Sequence, residues 1–246
     1  MTKKLIIGLS VVGIIILAVV LVLLFYKPNY SIEGKVTDIT TKKPVADVTI
    51  SGDGKETKTD KDGNYKMEKL KKETKISIKQ PSQFETSEEI NLTFDSRIKS
   101  ETIKKDIELV PDLIEMETRV NEGSKQGQYD LNWEYMHPDD QAYWGSEEDY
   151  INLFKRSDEL MGAQYSIKSY KISENVKVLP KWEHEITGKE YDNVSGVPIE
   201  TTFMNGQVDK YSSYWVKVDG IWRYFTQVNK TKLQKDISDY EKSISS

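Results

Sequence analysis

Two histidines, His137 and His184, are the only imidazoles in the chain, and there is no cysteine. Imidazole titrates closest to neutral pH, so these positions head any search for a general base. His184 alternates with Trp182 and Ile186, and in a strand the three side chains share one face. Asp130 is the carboxylate that could orient it, which makes His184 with Asp130 the candidate acid–base pair. A histidine that only packs or faces solvent fits the same spacing. His137 stands immediately before Pro138, where a capping role suits it better than catalysis. Active-serine acyl transfer needs Ser-x-x-Lys, Ser-x-Asn and Lys-Thr-Gly in one cleft. Ser96-x-x-Lys99 and Ser173-x-Asn175 occur, but Lys-Thr-Gly does not, and the two matches fall in segments of different pattern. Without cysteine there is no thiol nucleophile, disulfide or thiolate metal site. Asp60, Asp62 and Asn64 have the spacing that opens a calcium loop. The loop then needs Gly at position 6 and Glu at position 12, where Tyr65 and Lys71 stand. The expectation is a chain with no catalytic residue, no metal and no cofactor. Its candidate ligand-binding residues are Trp182, His184, Trp215, Trp222 and Asp130, which line a pocket or a protein-binding face if they do not simply pack a core.

Four segments must position these residues. Leu5 to Phe25 carries no charge. As a helix it is about 31 Å long, which matches a hydrocarbon core of about 30 Å. The run is longer than the apolar core of a cleaved signal peptide, and it ends in Phe25-Tyr26-Lys27-Pro28 rather than at small residues. An uncleaved transmembrane helix at 5–25 is therefore expected, with a cytoplasmic tail at 1–4. Because no cysteine can carry a lipid, the peptide itself must be the anchor. Lys3, Lys4 and the terminal amine favour an N-inside orientation, and Lys27 and Lys35 weaken that bias. The expected location is the cell membrane, single-pass, with the C-terminal domains extracellular. Net charge is −5 with both signs interspersed, so the electrostatic footprint of nucleic-acid binding is missing. The expected partners are the membrane, through residues 5–25, and a cell-envelope component or a protein.

Residues 30–110 alternate at period two. Ile32 and Val36 share a face, as do Val48 and Ile50, Tyr65 and Met67, Ile76 and Ile78, and Ile90, Leu92 and Phe94, while Ile103, Ile107 and Leu109 nearly alternate. Turn residues separate them at Lys43-Pro44, Gly52-Asp53-Gly54 and Asp62-Gly63. About seven short antiparallel strands in this length indicate an all-β sandwich. Gly34-Lys35-Val36-Thr37-Asp38, Pro44-Val45-Ala46-Asp47-Val48-Thr49-Ile50 and Thr59-Asp60-Lys61-Asp62-Gly63-Asn64-Tyr65 resemble the carboxypeptidase regulatory-like domain. That resemblance implies a transthyretin-like sandwich serving as a spacer or binding module, and it implies no chemistry. The family's Gly-Lys-Pro turn is Lys42-Lys43-Pro44 here, and its later Pro-Gly-Tyr is absent.

From 111 to 246 the pattern changes to helices followed by a long-stranded antiparallel meander, which is α+β. Leu113, Met116 and Val120 have helical spacing, Gly123 to Gly127 breaks it, and Tyr129, Trp133 and Met136 resume it up to Pro138. Ser146 is the expected N-cap of a helix carrying Tyr150, Leu153, Phe154, Leu160 and Met161, and Gly162 is its stop. Asn205-Gly206 and Asp219-Gly220 are hairpin turns. Lys230 to Ile244 reads as a short polar helix or frayed tail. The run from Gln128 to Asp139, Ser146-Glu147-Glu148-Asp149-Tyr150 and Asp219-Gly220-Ile221-Trp222-Arg223 are similar to the nuclear-transport-factor-two-like cone. Members include the non-catalytic domain of penicillin-resistant transpeptidases, and also isomerases and cyclases. The resemblance implies a cone binding a ligand or partner. A small-molecule binder or isomerase-type enzyme using the cone cavity is the alternative.

Overall fold

A computed structural model describes residues 17, 29–95, 97–162 and 166–244. The expected tail at 1–4 and the expected span at 5–25 lie outside the described residues, apart from Leu17. No helix among the described residues is long and apolar enough to cross a membrane. The chain divides into two compact units, one ending at Leu109 and the other beginning at Val110.

The first unit is a β-sandwich. Its strands are β1 (Asn29–Asp38), β2 (Thr49–Gly52), β3 (Lys55–Lys58), β4 (Asn64–Leu70), β5 (Glu73–Lys79), β6 (Ile90–Thr93), β7 (Ser100–Lys104) and β8 (Ile107–Leu109). One sheet runs β4-β1-β7 with β8 also on β1, and the other runs β3-β2-β5-β6. The inward residues of both sheets, among them Ile32, Val36, Val48, Ile50, Met67, Ile76 and Leu109, form one buried cluster. Each such side chain contributes about 1.5–3 kcal/mol by leaving water. Tyr30 stacks on Phe94 at 4.8 Å between ring centres.

Two expectations change here. β3 has the sequence Lys-Glu-Thr-Lys, with no apolar residue to show a period. It pairs with β2 at the end of its sheet, and its lysines discourage further strand addition there. β7 and β8 run parallel to β1, not antiparallel, because period-two alternation carries no information about strand direction. The near-alternation of Ile103 and Ile107 reflects the break at Lys105-Asp106. There the Lys105 N–H donates to Glu33 O at 2.9 Å, and Asp106 Oδ1 accepts from the Lys35 N–H at 2.8 Å.

This break explains Gly34. A Cβ at residue 34 would sit 2.0 Å from the Lys105 carbonyl oxygen and 2.6 Å from its carbon. The same oxygen accepts from the Tyr65 hydroxyl at 2.6 Å, and Tyr65 is the cross-strand partner of Gly34. Backbone cannot yield as a flexible side chain can. Gly34→Ala is therefore expected to cost about 1–3 kcal/mol of first-unit stability, the range for overpacked sites, read as a lower melting temperature of the sandwich. A melting temperature equal to the parent chain would show that the parallel break is not packed as described. In the turn before β4, Asp60 Oδ1 accepts from the N–H groups of Asp62 and Asn64 at 2.9 and 2.8 Å, so that carboxylate serves the loop itself.

The second unit begins with α1 (Leu113–Gln126), α2 (Tyr129–Tyr135), α3 (Pro138–Trp144) and α4 (Glu147–Met161). The antiparallel strands β9 (Ile167–Ile172), β10 (Lys177–Glu183), β11 (Glu190–Phe203), β12 (Val208–Val218) and β13 (Ile221–Phe225) follow, and α5 (Lys230–Ile244) closes the chain. The sheet order is β10-β11-β12-β13 with β9 also on β11, and the sheet curls into a half-barrel. Local signals account for the helix ends. The side chains of Asp112 and Ser146 cap α1 and α4, and Gly127 ends α1 at φ 68°, in the left-handed region open to glycine. Asn205-Gly206 and Asp219-Gly220 make the hairpins on either side of β12. The alternation of Trp182, His184 and Ile186 does not continue as a strand. β10 ends at Glu183, and residues 184–188 form a turn closed by the Gly188 N–H on His184 O at 2.8 Å. The last helix is anchored: Leu233 packs on the core, and Arg156 pairs with Glu241 at 2.7 Å.

Candidate functional site

The helices and the concave side of the sheet enclose a pocket of about 300 Å³ in the second unit. This is at the small end of ligand sites, which span about 300–1,000 Å³. α1 supplies Glu117, Asn121 and Ser124, α2 supplies Tyr129 and Asn132, α4 supplies Tyr150 and Phe154, and the sheet supplies Tyr211, Ser213 and Tyr224. Glu117 and Asn121 lie one turn apart, on the face of α1 that also carries Leu113, so burying that face carries the carboxylate inward.

Glu117 is 2 % exposed. Its carboxylate accepts from Trp215 Nε1 at 2.5 Å, from Asn121 Nδ2 at 2.5 Å and from the Ser213 hydroxyl, donors that are all uncharged. Burial pushes this carboxyl above the ordinary glutamate range, and the three hydrogen bonds pull it partly back. Beside it the Tyr150 and Tyr224 hydroxyls face each other at 3.4 Å. Asn132 is 3 % exposed. It donates to Ser124 Oγ at 2.6 Å, and its Oδ1 is buried against Gly123, 2.7 Å from where a Cβ of that residue would stand.

A second buried polar group is closed to solvent. His184 is 1 % exposed and Asp140 is 0 % exposed, with Nδ1 3.6 Å from Oδ1. His184 Nε2 is 2.8 Å from the Thr226 carbonyl oxygen, which can only accept, so this nitrogen carries a proton. Nδ1 is 2.9 Å from Thr187 Oγ1. Asp140 Oδ2 accepts from the Thr226 N–H at 2.7 Å. Burial pushes the Asp140 carboxyl up, opposed by the adjacent imidazole and by the Thr226 N–H. The set ties the start of α3, the turn after β10 and the residue following β13. It is a structural clamp, since a substrate has no route to either group.

The structure corrects the proposed pairing of His184 with Asp130. Asp130 lies exposed in the first turn of α2, and Asp140 is the carboxylate beside His184. His137 accepts from the Asp139 N–H through Nδ1 and stacks on Phe225 at 4.6 Å, a capping and packing role. Trp182 stacks on Tyr214 at 4.6 Å and lies 4.9 Å from Phe225, in the aromatic cluster around His184 and away from the pocket lining. Trp222 lies under the Lys217 ammonium at 5.0 Å. None of the five sequence candidates lines the pocket, and Trp215 alone bonds a residue that does, Glu117. Glu117, Asn121 and Asn132 were missed. The available signal was Glu117 and Asn121 in register with Leu113 on the buried face of α1, and Asn132 on α2 had none.

Together these features define a class: a β-sandwich unit and an α+β unit with a small polar-floored pocket. No protein-family model matches the chain, and no curated protein matches it. Three solved structures with some similarity are two pilins and a DUF3823 family protein. The major pilin subunit BcpA of Bacillus cereus is 9% identical over 80% of this chain and 69% of that one, with a TM-score of 0.29. The minor pilin GBS52 of Streptococcus agalactiae is 17% identical over 35% of this chain and 45% of that one, with a TM-score of 0.26. A DUF3823 family protein from Parabacteroides merdae is 9% identical over 72% of this chain and 60% of that one, with a TM-score of 0.27. The chain thus spans less than two thirds of the minor pilin and of the DUF3823 protein. The sandwich is assigned from its own strand pairing.

Proposed function

We propose that this is a non-enzymatic protein of the cell envelope, anchored by residues 5–25, whose second unit binds a small ligand. The β-sandwich serves as the spacer, and the second unit is a nuclear-transport-factor-two-like cone with its ligand in the Glu117 pocket. The observation that carries the reading is the pocket itself: about 300 Å³, floored by a buried carboxylate and walled by aromatic rings. A cone used only as a spacer would be filled by side chains. The test is native mass spectrometry of the full-length chain after incubation with a small-molecule extract of the envelope. A ligand adduct is expected on the parent chain and not on Ser124→Trp, whose indole would occupy the cavity. No adduct on either, or equal adducts on both, would sink the reading.

An enzymatic reading has one feature in its favour, a buried carboxylate on the pocket floor that burial pushes above the ordinary glutamate range, as a general acid or base requires. It predicts that the recovered ligand has changed mass. The orientation has its own test. Protease added to intact cells should digest the C-terminal units, and their full protection would place both in the cytoplasm.

A further inference from the structure

We propose that the ligand of the Glu117 pocket is a small protonated amine, held by N–H donors to Glu117 and packed against tyrosine and phenylalanine rings. The inference rests on the pocket being a ligand site.

The polar floor of the pocket is short of donors. Glu117 has two oxygens with about four lone-pair sites, and three uncharged donors reach it. A hydrogen bond to a charged group contributes about 1.5–3 kcal/mol, so a ligand that brings an N–H group to the remaining lone pair of Glu117 gains by it. A neutral hydroxyl brings one donor, whereas a primary ammonium brings three and a positive charge. The charge matters because the donors already on Glu117 are neutral and bring no positive charge to its buried ionised form. An anionic ligand would place a second negative charge beside it. The walls agree: Tyr129, Tyr150, Phe154 and Tyr224 line the same cavity, and aromatic faces attract a desolvated cation. The tilted contacts of Phe154 with Tyr129 at 5.1 Å and with Tyr150 at 4.7 Å hold that wall in place.

The test compares three probes of similar size that differ in charge: 4-hydroxybutylammonium, 1,4-butanediol and 4-hydroxybutanoate. The reporter is the indole N–H resonance of Trp215, which bonds Glu117 directly, in the full-length chain labelled with 15N-tryptophan in detergent. The ammonium is expected to shift this resonance saturably, with a Kd at least tenfold below that of the diol, and the carboxylate is expected to bind no better than the diol. Glu117→Gln should bring the ammonium to within about twofold of the diol, and Phe154→Leu, which removes an aromatic wall, should weaken the ammonium at least threefold more than it weakens the diol. The second variant keeps the test decisive if Glu117→Gln does not fold. If the diol or the carboxylate binds as tightly as the ammonium, or both variants bind it as the parent does, the amine assignment is overturned while the pocket remains a ligand site. If no probe moves the Trp215 resonance, the assignment falls, and the absence of an adduct on the parent chain in native mass spectrometry would take the ligand-site reading down with it.

Discussion

Asp140→Ala is expected to destabilise the second unit by about 3–5 kcal/mol, the cost of breaking a buried pair by removing one partner. The carboxylate accepts the Thr226 N–H at 2.7 Å and stands 3.6 Å from His184 Nδ1. Alanine leaves that N–H without its acceptor and deprives the imidazole of its only described carboxylate neighbour, in a place water does not reach. Since stability of a whole domain is about 5–15 kcal/mol, a loss of this size is a large part of it. Asp140→Asn separates the two components. The carboxamide oxygen can still accept from Thr226, so most of the backbone anchoring survives. If the native pair is ionic, asparagine costs nearly as much as alanine. If the buried carboxyl holds the proton, asparagine resembles it and costs little. The measurement is chemical denaturation of Asp140→Ala, Asp140→Asn, His184→Ala and the double variant. The double-mutant coupling should exceed about 1 kcal/mol, as in-contact pairs do, and additivity would show that the two groups are not clamped to each other.

The clamp also shows where the sequence was legible and where it was not. Local signals were sufficient wherever one residue fixes its own surroundings. Ser146, Gly162, Asn205-Gly206 and Asp219-Gly220 sit where their cap and turn chemistry places them. The face of α1 that is buried was visible in Leu113, Met116 and Val120. Pairing across the chain was not visible. Asp130 and Asp140 are both carboxylates within a helix start, and only the packing of α3 on the turn after β10 selects Asp140 for His184. The alternation at Trp182, His184 and Ile186 suggested a strand, yet Gly188 closes a turn over that stretch. Strand direction in the sandwich failed for a similar reason: alternation records which face is buried, and β7 and β8 bury theirs while running parallel to β1. Glu117 was overlooked because a charged residue on a helix is ordinarily solvated, and only the curled sheet carrying Ser213 and Trp215 makes it a floor.

Trp215 joins this floor to the core, so its replacement should have the other large effect. The side chain is 0 % exposed and packs against Tyr224 at 5.5 Å. Trp215→Ala removes a full aromatic volume and is expected to cost about 3–5 kcal/mol at any pH. Trp215→Phe keeps most of the volume and removes the N–H that donates to Glu117 at 2.5 Å and to Ser213 Oγ at 2.8 Å. A hydrogen bond to a charged group contributes about 1.5–3 kcal/mol, so this loss depends on whether Glu117 is ionised. Burial raises its folded pKa above the unfolded value of 4.5, so the folded state binds the proton more tightly than the unfolded chain does. The contribution of Glu117 to stability is therefore intact below pH 4.5 and falls as pH rises through the folded pKa. Losing the indole donor raises that pKa further and deepens the fall. The difference in stability between the parent chain and Trp215→Phe should then be small below pH 4.5 and grow as pH rises through the folded pKa, whereas the Trp215→Ala deficit keeps its packing component throughout. Denaturation midpoints across this range decide it: a Trp215→Phe deficit that does not change with pH would mean that the indole supports the core without supporting the charge of Glu117.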